Sequence, residues 1–200
     1  RTPIRSSIHM LYHPRTRKEM VGMDGEACLK KAYDAILHSD FELALKWFRR
    51  AIELDPGNAS YYYKASVTCS RSGKAAQAKE WAAKAVELAP EEPVYEMHLK
   101  TLEARELIAE ARAILEAADP EPDQAIKLLV RAKDLNPLSA EASLLLGHAS
   151  KSLGDFRSAI GYLLEALQLD PQHAEARRLL REWRRERRRL VKQYYHIYPN

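Results

Sequence analysis

The sequence predicts an all-α fold built from repeated pairs of helices, and two observations carry this prediction. Helix-ending prolines occur at Pro56, Pro90, Pro137 and Pro171, and the first two and the last two are each 34 residues apart. The segments before these prolines have alanines and large apolar residues at helical spacing: ALKWFRRAIELDP, QAKEWAAKAVELAP, QAIKLLVRAKDLNP and SAIGYLLEALQLDP. A fixed period of this length is typical of a solenoid, in which each unit covers the apolar face of the next.

The segment from Ala140 to Pro171 shows the repeating unit most clearly. It contains the pair Leu146-Gly147 and then a turn followed by a helix cap at Gly154-Asp155-Phe156. Three small or apolar residues at helical spacing complete it: Ala159, Leu163 and Ala166. This order of residues resembles the tetratricopeptide repeat, a helix–turn–helix unit of about 34 residues. The resemblance implies a right-handed superhelix, or α-solenoid, of helix–turn–helix repeats with a C-terminal capping helix.

The predicted organisation consists of a basic N-terminal arm, four repeats, and an Arg-rich capping helix with an aromatic tail. The arm has no helical or alternating period, and we expect it to be flexible or ordered by a partner. The corresponding ranges are 1–23, 24–57, 58–92, 93–138, 139–171 and 172–200.

In the first two repeats, polar residues are predicted to cap the helices. Asp24 precedes a predicted helix over Gly25–His38, and its carboxylate can accept the unpaired backbone N–H groups of the first turn. Asn58 lies in a glycosylation sequon but is interpreted as the cap of the next repeat. In that repeat Tyr62 takes the large aromatic position. Three alanines allow the helices to approach closely: Ala78, Ala82 and Ala85.

The third repeat is irregular because Pro90 and Pro137 are 47 residues apart, 13 more than one period. No helix-breaking residue occurs from Pro93 to Ala118, so one long helix is predicted there, followed by a second over Asp123–Asn136. Alignment backwards from Pro137 puts Ala113 at the small position and favours additional turns at the start of the helix. Alignment forwards from Pro90 buries the opposite face, and the sequence leaves both registers open.

The fourth repeat, capped by Ser139, is followed by a predicted helix from Gln172 to about Tyr195. Its apolar stripe is formed by Ala176, Leu179, Leu180, Trp183, Leu190 and Tyr194, and most of the remaining residues are arginines. A solenoid needs a terminal element with a polar outer face, and this helix is predicted to provide it.

Composition and charge exclude several classes of protein. The chain is 46% hydrophobic and 30% charged, and no apolar run is long enough for a transmembrane helix. Cys28 and Cys69 lie in different predicted helices, which favours buried thiols in a reducing compartment and a cytoplasmic location. The sequence begins at Arg1 rather than Met, as a fragment or processed chain would.

The net charge of +4 is unevenly distributed along the chain. Residues 1–23 carry about +4, and residues 177–200 carry about +7 from nine basic residues and two glutamates, which leaves about −7 for residues 24–176.

In this family the first helix of each repeat lines a concave surface, and the resemblance places the candidate peptide-binding residues there. Tyrosine and methionine suit recognition of an apolar or amphipathic segment. The alternative is that these residues pack against neighbouring parts of the same chain. The candidates are Leu29, Tyr33, Tyr63, Lys64, Val67, Met97, His98, Leu144, His148 and Lys151.

A carboxylate clamp, used by some members of the family to hold the acidic tails of chaperones, is not expected. The matching positions hold Leu29, Tyr33, Lys64, Val94 and His98, of which only Lys64 suits that role. The predicted function is therefore a non-enzymatic interaction scaffold or adaptor for a protein or peptide partner, without a clamp.

The sequence lacks the motifs of a catalytic, cofactor or metal site, and none is predicted. The C-terminal arginines favour an alternative function, in which the last helix binds nucleic acid or another anionic surface. A third alternative is head-to-tail association between the basic end of one copy and the acidic middle of another. The candidate basic surface consists of Arg178, Arg181, Arg184, Arg185 and Arg188.

Overall fold

The computed structural model describes the backbone of residues 23–197 and the side chains of residues 23–194. Within this range the chain forms helices and no strands, which confirms the all-α prediction. The N-terminal arm, apart from Met23, lies outside the described residues. The helices are α1 (Gly25–Leu37), α2 (Phe41–Leu54), α3 (Ala59–Arg71), α4 (Ala75–Leu88), α5 (Pro93–Leu115), α6 (Pro122–Leu135), α7 (Ala140–Ser152), α8 (Phe156–Leu169) and α9 (Ala174–Ile197).

The chain divides into two compact units, Arg1–Glu96 and Met97–Asn200. The first unit contains helices α1 to α4 and the first turn of α5. The second contains the rest of α5 and helices α6 to α9. The division thus falls within a continuous helix.

The turns within the first, second and fourth helix pairs share one hydrogen-bonded design. In each, the residue two positions after the helix cap donates its backbone N–H back to the helix: Asp40 to Ala35 at 2.9 Å, Lys74 to Cys69 at 2.9 Å, and Asp155 to Ser150 at 3.0 Å. This is the Schellman arrangement, which requires a left-handed residue just before the donor. Ser39, Gly73 and Gly154 occupy that position, with φ values of 60°, 77° and 80°.

Polar side chains cap the helices where the sequence predicts them. Asp24 accepts a hydrogen bond from the backbone N–H of Ala27 at 2.8 Å. Asn58 accepts one from Ser60 at 3.2 Å, and Ser139 accepts one from Ala142 at 3.2 Å. Each side chain pairs a backbone donor that has no partner within its own helix.

The core of the first unit depends on small residues that bring α1 to α4 close together. Ala78, Ala82 and Ala85 are buried as predicted. Tyr61 is buried in α3, and Tyr62, which the sequence places at the large aromatic position, is partly exposed. Cys28 and Cys69 are free and buried, and burial raises the pKa of the Cys69 thiol to about 11.

The second unit contains two apolar clusters that meet on α7. One joins α5, α6 and α7 through residues such as Ala111, Leu129 and Leu146. The other joins α7, α8 and α9 and includes Leu163 and Trp183. Helix α7 therefore packs on both sides.

The 13 additional residues of the third repeat are divided between its first helix and its turn. Helix α5 has 23 residues, whereas α1, α3 and α7 each have 13. The turn before α6 spans residues 116–121, six residues where the other pairs have three. Ala111 is buried and Ala113 is exposed. Ala113, which the backward alignment placed at the small position, therefore faces the solvent, and a buried alanine lies two positions earlier.

Candidate peptide-binding site

The residues predicted to line one groove lie in both units of the chain. Leu29, Tyr33, Tyr63, Lys64 and Val67 belong to the first unit, and the other five candidates belong to the second.

A concavity of about 320 Å³ lies among α1, α2 and α3 in the first unit. Its wall is aromatic on one side, because the Tyr33 ring stands edge-on to the buried Phe48 ring with their centroids 6.4 Å apart. Tyr33 is 43% exposed, so its ring faces both the core and the solvent. The lining residues are Tyr33, Ile36, Phe41, Phe48, Tyr63, Lys64, Val67, Thr68 and Arg71.

Two cations lie at this concavity, each beside an aromatic ring. The Nζ atom of Lys64 is 6.0 Å from the centroid of Tyr33, and the guanidinium carbon of Arg71 is 5.9 Å from that of Phe41. Cation–π contacts of this kind are worth about 0.5–1 kcal/mol at exposed sites. Neither Lys64 nor Arg71 forms an ion pair with any described carboxylate. Among the described residues, both charges are therefore without an ionic partner.

Tyr63 and Val67 complete the concavity from α3. The ring of Tyr63 lies 4.9 Å from that of Tyr95, with an interplanar angle of 35°. An aromatic pair of this kind contributes about 0.5–1.5 kcal/mol beyond the area that it buries. Leu29 differs from these residues, since it is buried in the core and does not line the concavity. Its side chain stabilises the helix pair instead.

In the second unit, helix α9 covers the candidate residues of α7. Leu144 is buried in the cluster that contains Trp183. The His148 ring stands edge-on to Trp183 at 5.3 Å, and its Nε2 atom lies 4.0 Å from Oε1 of Glu175. Lys151 pairs with Glu186 at 3.1 Å and lies 5.8 Å from the Trp183 ring. These contacts correspond to the alternative stated above, packing against a neighbouring part of the chain.

Met97 and His98 occupy the second turn of α5. Met97 is 64% exposed, whereas His98 is partly buried. Burial, assisted by the nearby Arg105 charge, lowers the pKa of His98. Neither residue lines the concavity of the first unit.

The candidate basic surface is confined to α9, and its arginines are exposed. Arg178 pairs with Glu182 at 3.1 Å along the helix. Arg184 and Arg188 line a second concavity, of about 700 Å³, between α8 and α9.

Family models match two parts of the chain. Both are described as tetratricopeptide repeats, and they cover residues 29–93 and residues 140–173. The chain therefore contains tetratricopeptide repeats in these two segments. The matches include both helices of the second and fourth repeats, while the lengthened third repeat lies largely outside them. No curated protein matches the sequence.

Solved structures of other tetratricopeptide repeat proteins resemble the chain in fold. MamA from Desulfovibrio magneticus RS-1 is 15% identical, with a TM-score of 0.51 over 86% of this chain and 91% of that one. Yeast Tom70 is 18% identical, with a TM-score of 0.52 over 82% of this chain and 41% of that one. YrrB, described as having an unusual peptide-binding site, is 18% identical over 82% of this chain and 96% of its own, with a TM-score of 0.46.

Five residues of the concavity are absent from the candidate list, and two of them lie outside the first helices to which the prediction was limited. Phe41 and Phe48 belong to α2, and Arg71 is the last residue of α3. An aromatic residue directly after the cap Asp40 is the signal that would have indicated Phe41. Tetratricopeptide repeats use extended concave surfaces for binding, so the fold supports a protein-interaction scaffold as the general function.

The described residues contain neither a membrane-spanning helix nor a grouped set of metal ligands. None of the described helices has both the length and the apolar character needed to span a lipid bilayer. Among the described residues, no three or more His, Cys, Asp or Glu side chains are grouped to hold a metal ion.

Proposed function

We propose that this chain is a non-enzymatic scaffold that binds a peptide segment in the concavity of its first unit. The peptide would carry an apolar side chain followed or preceded by a carboxylate. The observation that supports this proposal is the placement of Lys64 and Arg71, two cations without a described carboxylate partner, beside an aromatic-walled hollow.

The dimensions of the concavity fit a short segment rather than a folded domain. A volume of about 320 Å³ accommodates one or two side chains. Burial of one leucine or phenylalanine side chain contributes about 1.5–3 kcal/mol. A carboxylate that reaches either cation adds a charge-assisted hydrogen bond, which is stronger than a neutral one. The apolar contact thus provides affinity and the carboxylate selects the register.

The proposed site retains Tyr33, Tyr63, Lys64 and Val67 from the sequence prediction and adds Phe41 and Arg71. It omits Leu29, which is buried, and the residues of α7 that pack against α9. It is not a carboxylate clamp. A clamp combines its cations with asparagines, whereas Lys64 and Arg71 lie beside aromatic rings.

Selection from a random peptide library against the full chain tests this proposal. We expect enrichment of peptides in which Leu, Ile or Phe lies within two or three positions of Asp or Glu. Charge reversal by Lys64→Glu or Arg71→Glu is expected to weaken a selected peptide at least tenfold, as is Tyr33→Ala. Lys46→Glu is the matched control, because Lys46 is an exposed lysine of α2 that does not line the concavity.

Two results would refute this function. One is a selected peptide that binds Lys64→Glu and Lys46→Glu with equal affinity, because the cation would then have no role. The other is a selection without any preference for acidic residues. Circular dichroism of each variant verifies that its helices remain intact.

The nucleic-acid alternative depends on the arginines of α9. These are exposed, but Leu190 and Val191 on the same helix are also about half exposed, at 47% and 46%. Aliphatic side chains form no favourable contact with phosphates, whereas they do with the apolar face of a protein. A protein partner is therefore the stronger proposal for this helix.

A further inference from the structure

Helix α9 begins where the first helix of a fifth repeat would begin. It starts at Ala174, three residues after Pro171, just as α3 starts three residues after Pro56 and α7 three residues after Pro137. Unlike those helices, it continues for 24 residues instead of 13. We call its last eleven residues, 187–197, the overhang. At about 1.5 Å per residue, the overhang extends roughly 16 Å beyond the length of an ordinary first helix.

The overhang continues the apolar face by which α9 packs against α7 and α8. Ala176, Leu180 and Trp183 are buried on that face. With about 3.6 residues per turn, the same face continues through Leu190, Val191 and Tyr194. These three side chains are exposed by 47%, 46% and 62%. The apolar face of α9 therefore extends beyond the part that packs against other described residues.

One flank of this face carries cations that no described carboxylate neutralises. At about 100° per residue, they occupy a sector of roughly 100° beside the apolar face. None of them takes part in an ion pair within the described part of the chain. They are Arg181, Arg184, Arg185, Arg188 and Lys192.

The opposite flank is acidic and already neutralised. Glu182 pairs with Arg178 at 3.1 Å, and Glu186 pairs with Lys151 at 3.1 Å. The electrostatic potential beside the apolar face is thus positive on one side and close to neutral on the other. A ligand that lies along α9 would be oriented by this difference.

The cationic flank and the apolar face meet in the concavity between α8 and α9. It has a volume of about 700 Å³, an aliphatic floor and a basic rim. Ile160 of α8 and Val191 of α9 form the floor. The rim consists of Arg184, Arg187, Arg188 and Lys192.

We propose that this surface docks an acidic amphipathic helix of a partner protein. The apolar side of that helix packs against Ile160, Leu190 and Val191, as in other helix-in-groove complexes. Its carboxylates pair with Arg184 and Arg188, and arginine is suited to this role because its planar guanidinium binds carboxylates in a bidentate manner. The charge complementarity determines which of its flanks faces the concavity.

Other occupants match this chemistry less well. The N-terminal segment 1–22 carries five basic residues and one glutamate, so it would be repelled by the rim. A two-fold contact between copies would bring two arginine flanks together, because an isologous interface juxtaposes the same patch. Single-stranded nucleic acid prefers aromatic stacking platforms, and the floor is aliphatic.

A designed peptide provides the test with the full chain. The probe is an 18-residue, fluorescently labelled helical peptide with leucines along one face and glutamates on the other. The first control is a peptide of the same composition with the leucines scattered around the helix, and the second is a uridine 18-mer. Fluorescence anisotropy is expected to show at least tenfold tighter binding of the amphipathic peptide than of either control.

Variants locate the binding surface. Val191→Asp and Arg188→Glu are each expected to weaken the peptide at least tenfold. Arg189→Glu is the matched control, because it makes the same change of charge on the same helix but on the side away from the concavity, and it should change affinity less than twofold. Val191, Arg188 and Arg189 are all exposed, so these substitutions are expected to leave the fold intact.

Four results would overturn the proposal. Equal binding of the scattered peptide would show attraction by charge alone, and tighter binding of the uridine 18-mer would indicate a nucleic-acid surface. Unchanged binding by Val191→Asp would place the peptide elsewhere. A wild-type dimer in sedimentation that Val191→Asp converts to a monomer would identify a second copy as the occupant.

Discussion

A single backbone conformation recurs at the turn of three helix pairs, and one of the three residues is poorly suited to it. Gly73 and Gly154 adopt left-handed φ values of 77° and 80°, and Ser39 adopts 60° at the corresponding position. For a residue with a Cβ atom the left-handed region costs about 1–2 kcal/mol. The first repeat therefore contains strain that the second and fourth repeats avoid.

Replacement of this serine by glycine is expected to stabilise the protein. Ser39→Gly removes the steric cost, and after the greater entropy of glycine in the unfolded chain is subtracted, the free energy of unfolding should rise by about 0.5–1 kcal/mol. Urea denaturation measures the change.

The reverse substitution in the second repeat is the control. Gly73→Ala should lower the free energy of unfolding by about 1 kcal/mol. A Cβ atom built on Gly73 meets nothing within 4 Å, so the loss would come from backbone conformation alone. A destabilising effect of Ser39→Gly would contradict the assignment of strain.

His148 should make the second unit sensitive to mild acid. Burial lowers its pKa, and the charges of Arg178, Lys151 and Arg112 act in the same direction, while Glu175 opposes them. The folded chain thus holds the imidazole neutral at a pH where the unfolded chain protonates it. The resulting stability is complete above the unfolded pKa of about 6.5 and is lost as the pH falls towards the folded value.

Unfolding in urea at pH 7.5 and pH 5.5 tests this expectation. The wild type should lose stability between the two values, and His148→Gln should lose less, because glutamine does not titrate. His98, whose pKa is lowered by burial and by Arg105, accounts for a remaining part of the loss. An identical pH dependence of the wild type and His148→Gln would exclude His148 as the cause.

At the scale of the element, α9 consists of two parts with different tasks. Its first ten residues pack through Trp183 and Leu180 into the cluster they share with α7 and α8. From Arg184 to Tyr194 all its residues are exposed. The first part therefore contributes to stability, and the second is available for binding.

Truncation separates the two tasks. A chain that ends at Arg189 should retain the thermal midpoint of the wild type to within about 2 °C, because the described side chains that it lacks, those of residues 190–194, are exposed. Trp183→Ala should destabilise by about 3–5 kcal/mol, since it leaves a cavity beside Leu163 and Gly147. A large fall in the midpoint upon truncation would show that the overhang has a structural role.

The helices also show which features of the fold the sequence could predict. The spacing of the prolines and alanines was sufficient for the helix pairs, because close packing requires small residues at fixed positions. It did not give the division of the third repeat, where the turn has three additional residues and Ala111 rather than Ala113 is buried. The family pattern predicts that Leu29 and Leu144 line a groove. Their actual environment depends on which neighbouring helix covers them. Contacts of that kind are set by packing rather than by local sequence.

Across the whole molecule, the two proposed binding surfaces have the same chemical character. Residues 24–176 carry a net charge of about −7, yet both proposed surfaces present cations beside apolar side chains. A predominantly acidic body repels most acidic chains, so only ligands that match the local pattern bind well. The two surfaces lie in different units, and the variants proposed for one should leave the other unaffected.

Local stability should follow the same division into units, because contacts in repeat proteins are made mainly between neighbours. Leu45 is fully buried in the first unit and does not line the proposed peptide site. Leu45→Ala is expected to cost about 2–5 kcal/mol. Hydrogen exchange should then show lost protection in α1 to α3 and retained protection in α7 and α8.

Peptide binding connects this stability to function. A ligand that binds only the folded state stabilises it in proportion to the logarithm of its concentration. A peptide selected for the first unit should therefore restore protection in α1 to α3 of Leu45→Ala and leave α7 and α8 unchanged. The acidic amphipathic peptide should instead protect α8 and α9. If either peptide protected both regions equally, the two surfaces would be energetically coupled and the assignment of one ligand to each unit would be wrong.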